Sequence, residues 1–117
     1  MTQKEIVELY MQSFKELNHE KILSCLTDDV IWDMPGFFHH EGKAAFDKEI
    51  ENDAFSGKPD IKVDRMIEEG NIVVAEGSVN AHFKDGKPFE AVFCDVFYFR
   101  DGKICKLTSY VMGINPS

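Results

Sequence analysis

The odd-numbered residues from Phe89 to Phe99 are Phe89, Ala91, Phe93, Asp95, Phe97 and Phe99. Side chains alternate across a β-strand, so a strand here sends all six to one face. Five are apolar and one is an acid. A lone carboxylate on an apolar face is costly when ionised, and it responds by holding its proton or by finding a partner. A carboxyl group that keeps its proton can donate to a carbonyl oxygen or exchange a proton with a substrate. The structural use of such an Asp is to cap a turn or to pair with a basic residue on a neighbouring strand. The even positions, Glu90, Val92, Cys94, Val96, Tyr98 and Arg100, are apolar in the centre too, so both faces are expected to be covered.

Other polar groups offer weaker chemistry. His39-His40-Glu41 has metal-ligand residue types, but adjacent residues diverge and no second His pair supports a site. Loop histidines are the expectation, with one of them at a pocket mouth as the alternative. Asn80 and His82 fall on the even, more polar positions of their segment, which suggests an outer surface. Ser109 lies between Leu107 and Val111 on an apolar alternation and can add a hydroxyl to an interior, but no base stands by to make it a nucleophile. Trp32 is expected in the core or in a cavity wall.

Composition bounds the rest. The 117 residues suffice for one domain with one core, spanning 1–117. Hydrophobic residues make up 44% and charged residues 29%, as in soluble globular proteins. The net charge of −8 opposes binding to nucleic acid or to an anionic membrane, which calls for clustered Lys and Arg. No apolar run is long enough to span a bilayer, and Met1-Thr2-Gln3-Lys4-Glu5 lacks the basic-then-apolar layout of a signal peptide, so a cytoplasmic location is expected. Cys25, Cys94 and Cys105 are far apart and odd in number, which predicts free thiols.

The elements that must position Asp95 can be read from periodicity. Ile6, Tyr10 and Phe14 recur every four residues with Leu9 and Leu17 beside them, predicting a helix from about Gln3 to Leu17. Asn18 is a suitable N-cap for a short second helix carrying Ile22, Leu23 and Leu26. Asp28-Asp29 then leads into an extended stretch, Val30 to Met34, stopped by Pro35-Gly36. Gly42 precedes a third helix with Phe46 and Ile50 on one face. After Pro59 the pattern changes to strands: one opened by Ile61 and Val63, then Ile72–Phe83, Pro88–Arg100 and Ile104–Met112. Gly70-Asn71, Asp85-Gly86 and Asp101-Gly102 separate them, and Asp-Gly between extended runs is a strong hairpin signal.

This order resembles the NTF2-like superfamily, in its SnoaL-like and ketosteroid-isomerase-like branch. The matching text is Tyr10, Leu26 to Gly36, Glu41-Gly42-Lys43, and Asp95 to Ile104. The resemblance implies an α+β cone: three N-terminal helices packed on a curved antiparallel sheet built from a four-strand meander plus one short N-terminal strand. In the isomerase branch it also implies a helix Tyr and a protonated strand Asp that bind a developing enolate oxygen, and a second Asp before a Pro that shuttles the proton. Tyr10 and Asp95 match the first two positions. Met34 stands at the third, and Met has no proton to exchange. Asp33 is adjacent but one residue out of phase, so it replaces the base only if a bulge re-aims it. In the polyketide-cyclase branch the resemblance implies that one deep Asp acts alone, for which Asp95 is the candidate.

The combined expectation is an apolar pocket walled by Tyr10, Phe14, Trp32, Met34, Phe93, Phe97, Leu107, Ser109 and Val111, with Asp95 deep inside. Its ligand would be a small hydrophobic molecule bearing a carbonyl or hydroxyl group, bound or isomerised without metal or organic cofactor. A non-catalytic binding protein and a dimeric interaction module are the alternatives. Val92, Cys94, Val96 and Tyr98 form an outward apolar stripe, and with the resemblance they predict a two-fold dimer through that face.

Overall fold

A computed structural model describes residues 1–114. The chain opens with helix α1 (Gln3–Lys15), capped by Thr2, whose hydroxyl accepts from the Glu5 N–H at 3.1 Å while the Glu5 carboxylate accepts from the Thr2 N–H at 2.7 Å. Helix α2 (His19–Ser24) is capped by Asn18, whose side chain accepts from the Lys21 N–H. Strands β1 (Leu26–Met34) and β2 (Phe38–Glu41) follow, then helix α3 (Lys43–Ile50). Four long strands complete the chain: β3 (Phe55–Glu69), β4 (Ile72–Phe83), β5 (Pro88–Arg100) and β6 (Lys103–Gly113). No helix among the described residues is long and apolar enough to cross a membrane.

The six strands form one sheet in the order β2-β1-β6-β5-β4-β3. The meander β3 to β6 is antiparallel throughout, as the turn residues predict. Asp101 and Gly102 both have positive φ, 52° and 78°, which a two-residue hairpin loop of the type I′ kind requires. Helices α1 and α3 pack their apolar stripes on one face of the sheet, where Val7, Tyr10, Ile22, Phe46, Phe97 and Leu107 are buried together.

Four features depart from the sequence expectation. Residues 38–41 form a strand, not a loop: Phe38 and His40 alternate with exposed His39 and Glu41, and pairing with β1 satisfies a backbone that the polar text did not advertise. The sheet is not wholly antiparallel, because β1 lies parallel to β6. The short helix after Asn18 ends at Ser24, and Leu26 is the first residue of β1. Strand β3 begins at Phe55, before Pro59, with a register break between Ser56 and Asp60. A proline is tolerated there because β3 is an edge strand and the break absorbs the missing donor.

A second break in β3, between Val63 and Arg65, lies opposite Gly77. A Cβ on Gly77 would sit 1.9 Å from the Lys62 carbonyl oxygen, so only glycine fits that crossing. The bulge adds local twist, and it does so beside Phe93, the β5 partner of Gly77.

Candidate functional site

Asp95 lies in the middle of β5 with 9% of its surface exposed. Its cross-strand neighbours are Ala75 on β4 and Ser109 on β6, both buried, so neither supplies a cation. No ion pair among the described residues involves Asp95. Burial pushes its carboxyl group up to about 7, against the opposing pull of a hydrogen bond from the Ser109 hydroxyl. The group is therefore divided between acid and carboxylate near neutrality.

A second bond fixes the serine. Trp32 Nε1 donates to Ser109 Oγ at 3.0 Å. Indole nitrogen can only donate, so Ser109 accepts from Trp32 and keeps its own hydrogen for Asp95. Trp32 is held in turn, stacked on Phe46 with centroids 4.4 Å apart and edge-on to Phe38 at 5.1 Å. Three strands, β1, β6 and β5, thus contribute one residue each to a Trp32–Ser109–Asp95 chain.

Tyr10 packs from α1 onto the same face, edge-on to Phe97 at 5.3 Å. Burial drives its phenol well above the ordinary value, and the Asp95 charge adds to the rise, so Tyr10 keeps its proton. Of the residues expected to wall a pocket, Tyr10, Trp32, Phe93, Phe97, Leu107 and Ser109 are buried around Asp95. Phe14, Met34 and Val111 are half-buried and form a rim packed against this cluster. Two surface clefts, of about 440 and 540 Å³, are present: one at Asp28, Asp29 and Arg100, the other across β3 to β6 at Arg65, Glu76, Val92 and Met112, where Phe93 and Val111 also line it. Neither is lined by Asp95, which the packed core encloses where an open pocket was expected.

Asp33 is not brought to Asp95. Trp32 is buried and Asp33 faces the other way, opposite His39 on β2, with His39 Nδ1 3.7 Å from its carboxylate. The register break in β1 falls between Leu26 and Ile31, so no bulge re-aims Asp33. The outward stripe is only partly covered by its own chain: Val92 is exposed, and Cys94, Val96 and Tyr98 are half-buried. Tyr110 and Met112 extend it on β6, with 54% and 68% exposure.

Two charged clusters escaped the sequence reading. His40 Nε2 lies 2.8 Å from Glu49 Oε1, joining β2 to α3, and the His40 ring stacks on Phe38 at 4.6 Å. His19 is clamped between two α3 carboxylates, Asp47 at 2.6 Å and Glu51 at 2.5 Å. Those bonds hold the His19 imidazole above its ordinary range. The signal for His40 was present in its alternation with Phe38, but its partner is nine residues away on another element.

Comparison with known proteins identifies the fold. The family model of the SnoaL-like domain matches residues 7–107. A putative polyketide cyclase from Xanthomonas campestris pv. campestris superposes with a TM-score of 0.79 at 25% identity, covering 92% of this chain and 88% of that one. TerC, co-crystallised with polyporic acid, gives 0.82 at 22% identity, with 92% and 88% covered. An NTF2-like protein from Burkholderia pseudomallei K96243 gives 0.84 at 18% identity, with 93% and 90% covered. The last two likenesses are of fold. No curated protein matches.

Proposed function

The chain belongs to the SnoaL-like domain family, and from that premise we propose that it binds a small hydrophobic molecule bearing a carbonyl or hydroxyl group at Asp95. The observation that carries this reading is a carboxyl group poised near 7 in an apolar surround, oriented through Ser109 by Trp32. In its acid form Asp95 donates to a carbonyl oxygen; as a carboxylate it accepts from a hydroxyl. Tyr10 stays protonated and offers a donor from α1. A ketone held by these two can enolise by proton transfer alone: the acid form of Asp95 gives its proton to the carbonyl oxygen, and the carboxylate so formed takes one from the adjacent carbon, which leaves the enol and restores the acid. Attack of that enol carbon on a second carbonyl of the same molecule closes a ring, the enol hydrogen passing to the new hydroxyl. The name of the Xanthomonas neighbour, a putative polyketide cyclase, favours work of this kind.

The second reading is a non-catalytic binding protein, and one observation favours it: Met34 holds the position of the proton shuttle, while Asp33 lies on the opposite face. The protein works as a homodimer through the outer face of β5 and β6 in either case. The discriminating experiment is Asp95→Asn. It removes proton exchange and keeps the size of the side chain, so a catalyst loses turnover while a binder loses only affinity.

A further inference from the structure

Asp95 is enclosed by buried neighbours, Ala75, Ser109, Phe93 and Phe97, and neither surface cleft is lined by it. A ligand therefore reaches it only if an element moves. The strands are joined into one sheet by their backbone ladders, which leaves the helices. Helix α1 is firmly fixed: it has a capping box and five buried side chains. Its first turn is also tied to the β3–β4 turn by Gln3 Nε2, which donates to the Glu68 carboxylate at 2.7 Å and to the Gly70 carbonyl at 2.9 Å. Helix α2 sends only Ile22 into the interior.

Helix α3 covers the residues of the site and is held less firmly. Its N-cap is Gly42, at φ 89° and with no side-chain cap, and residues 51–54 after it are exposed. Only Phe46 and Ile50 are buried. Phe46 stacks on Trp32 at 4.4 Å and meets Tyr10 edge-on at 6.3 Å. It thus fills the space between the indole bonded to Ser109 and the phenol that feels the Asp95 charge.

Outside that packing, side-chain pairs hold α3: Lys43 with Asp28 at 3.4 Å, Glu49 with His40 at 2.8 Å, and Asp47 with Glu51 on the two nitrogens of His19. A neutral imidazole has one N–H, enough for Glu49 at His40. It is not enough for two carboxylates, which only accept, so the double clamp at His19 requires the imidazolium. Asp47 and Glu51 are the charged groups that act on His19; α1, which also packs on α2, adds none.

We propose that α3 is a hinged lid on the Asp95 site, turning at Gly42, with Phe46 as its plug and the His19 clamp as its latch. Opening withdraws Phe46 from Trp32 and leaves room there for a ring of the ligand. Loss of the His19 proton releases one of the two clamp bonds and favours the open form. This rests on the reading of Asp95 as a ligand site, and it adds regulation of access to that site by pH.

The test is hydrogen exchange followed by NMR on the whole protein, in the parent and in His19→Gln, whose amide serves one carboxylate as a neutral ring does. The single tryptophan gives one indole N–H signal, and that buried hydrogen is bonded to Ser109 Oγ. It exchanges only when solvent reaches the space under Phe46. The lid predicts that this hydrogen and the backbone amides of 47–50 exchange through one opening, equally protected and less so than the amides of β5. At pH 6 His19→Gln should lower that protection about threefold, the worth of an exposed ion pair, and at pH 8.5 it should change nothing. Parent and variant are compared at one pH, so the titration of Asp95 cancels. An indole hydrogen that exchanges only as slowly as the β5 amides means a helix fraying over a closed site, and overturns the lid. Equal protection in parent and variant at pH 6 overturns the latch. Neither readout involves a ligand, so either failure leaves the Asp95 reading to be decided by Asp95→Asn.

Discussion

Asp95 and Ser109 face each other across β5 and β6, and the Ser109 hydroxyl, which draws the Asp95 carboxyl down against its burial, is itself engaged from a third strand by Trp32. Without the indole N–H, the serine hydroxyl would be free to turn away from the carboxylate. The arrangement spends the only tryptophan of the chain on orienting one hydroxyl beside one acid.

Removing that hydroxyl tests the chain of bonds. Ser109→Ala leaves the Trp32 N–H unpaired in a buried place, which costs about 1–3 kcal/mol. It also deletes the bond that pulls Asp95 down, so the Asp95 carboxyl should titrate higher than in the parent. Urea unfolding measures the first effect and carboxyl NMR the second. An Asp95 titration that moves down, or not at all, contradicts the assignment of Ser109 as its donor.

His19 sets a pH dependence of opposite origin. Its imidazole is held above the ordinary 6.5 by Asp47 and Glu51. For a base with a raised folded value, the stabilisation is complete below the unfolded value and disappears as pH rises through the folded one. The parent should therefore lose stability on going from pH 6 to pH 8.5 through this clamp. His19→Gln should abolish that part of the slope. The side chain is about one-third exposed, so solvent screening keeps the effect small. Urea midpoints across the range decide it, and an unchanged slope in the variant contradicts the clamp.

How much of this was legible without coordinates depends on whether the signal was local. The strand face from Phe89 to Phe99 and the turns at Gly70, Gly86 and Gly102 were readable, because period-two alternation and turn chemistry lie within a few residues. Helix α1 and its apolar stripe were readable for the same reason. Strand β2 was not, since four residues containing two histidines carry no strand signal until β1 pairs with them. The parallel β1–β6 contact joins segments more than seventy residues apart and leaves no mark in either. Asp95 was found as an anomaly in a pattern, whereas the Ser109 bond, the Trp32 bond and the His40–Glu49 pair required the tertiary fold.

The inner-face position of Met34 gives a third prediction. The unmodified protein should show little or no ketosteroid isomerase activity, because no proton shuttle stands there. If the site admits a steroid, Met34→Asp should raise that activity about a hundredfold, the usual contribution of a positioned base. Spectrophotometric assay of both forms settles it. Robust turnover by the unmodified protein would show that another group serves as base.

Assembly is the fourth. Val92, Tyr110 and Met112 leave an apolar band on the outer face of β5 and β6, and bands of this kind mark interfaces. Light scattering at micromolar concentration should give twice the monomer mass, and Val92→Lys with Met112→Lys should halve it. A monomeric parent contradicts the proposed dimer.

The central claim is that Asp95 is an unpaired acid in an apolar site, and its own titration tests that most directly. An acid whose folded value is raised costs stability once the unfolded chain ionises. Stability therefore falls from the ordinary value of 3.8 up to about 7 and stays reduced above it. Asp95→Asn should accordingly be more stable than the parent at pH 8, by roughly 2–4 kcal/mol, with the difference gone at pH 3. The decisive reading is the Asp95 carboxyl carbon followed by NMR from pH 3 to pH 9. A midpoint near 7 is the expected result; a midpoint at or below 4 would make Asp95 an ion-paired structural residue and contradict the account.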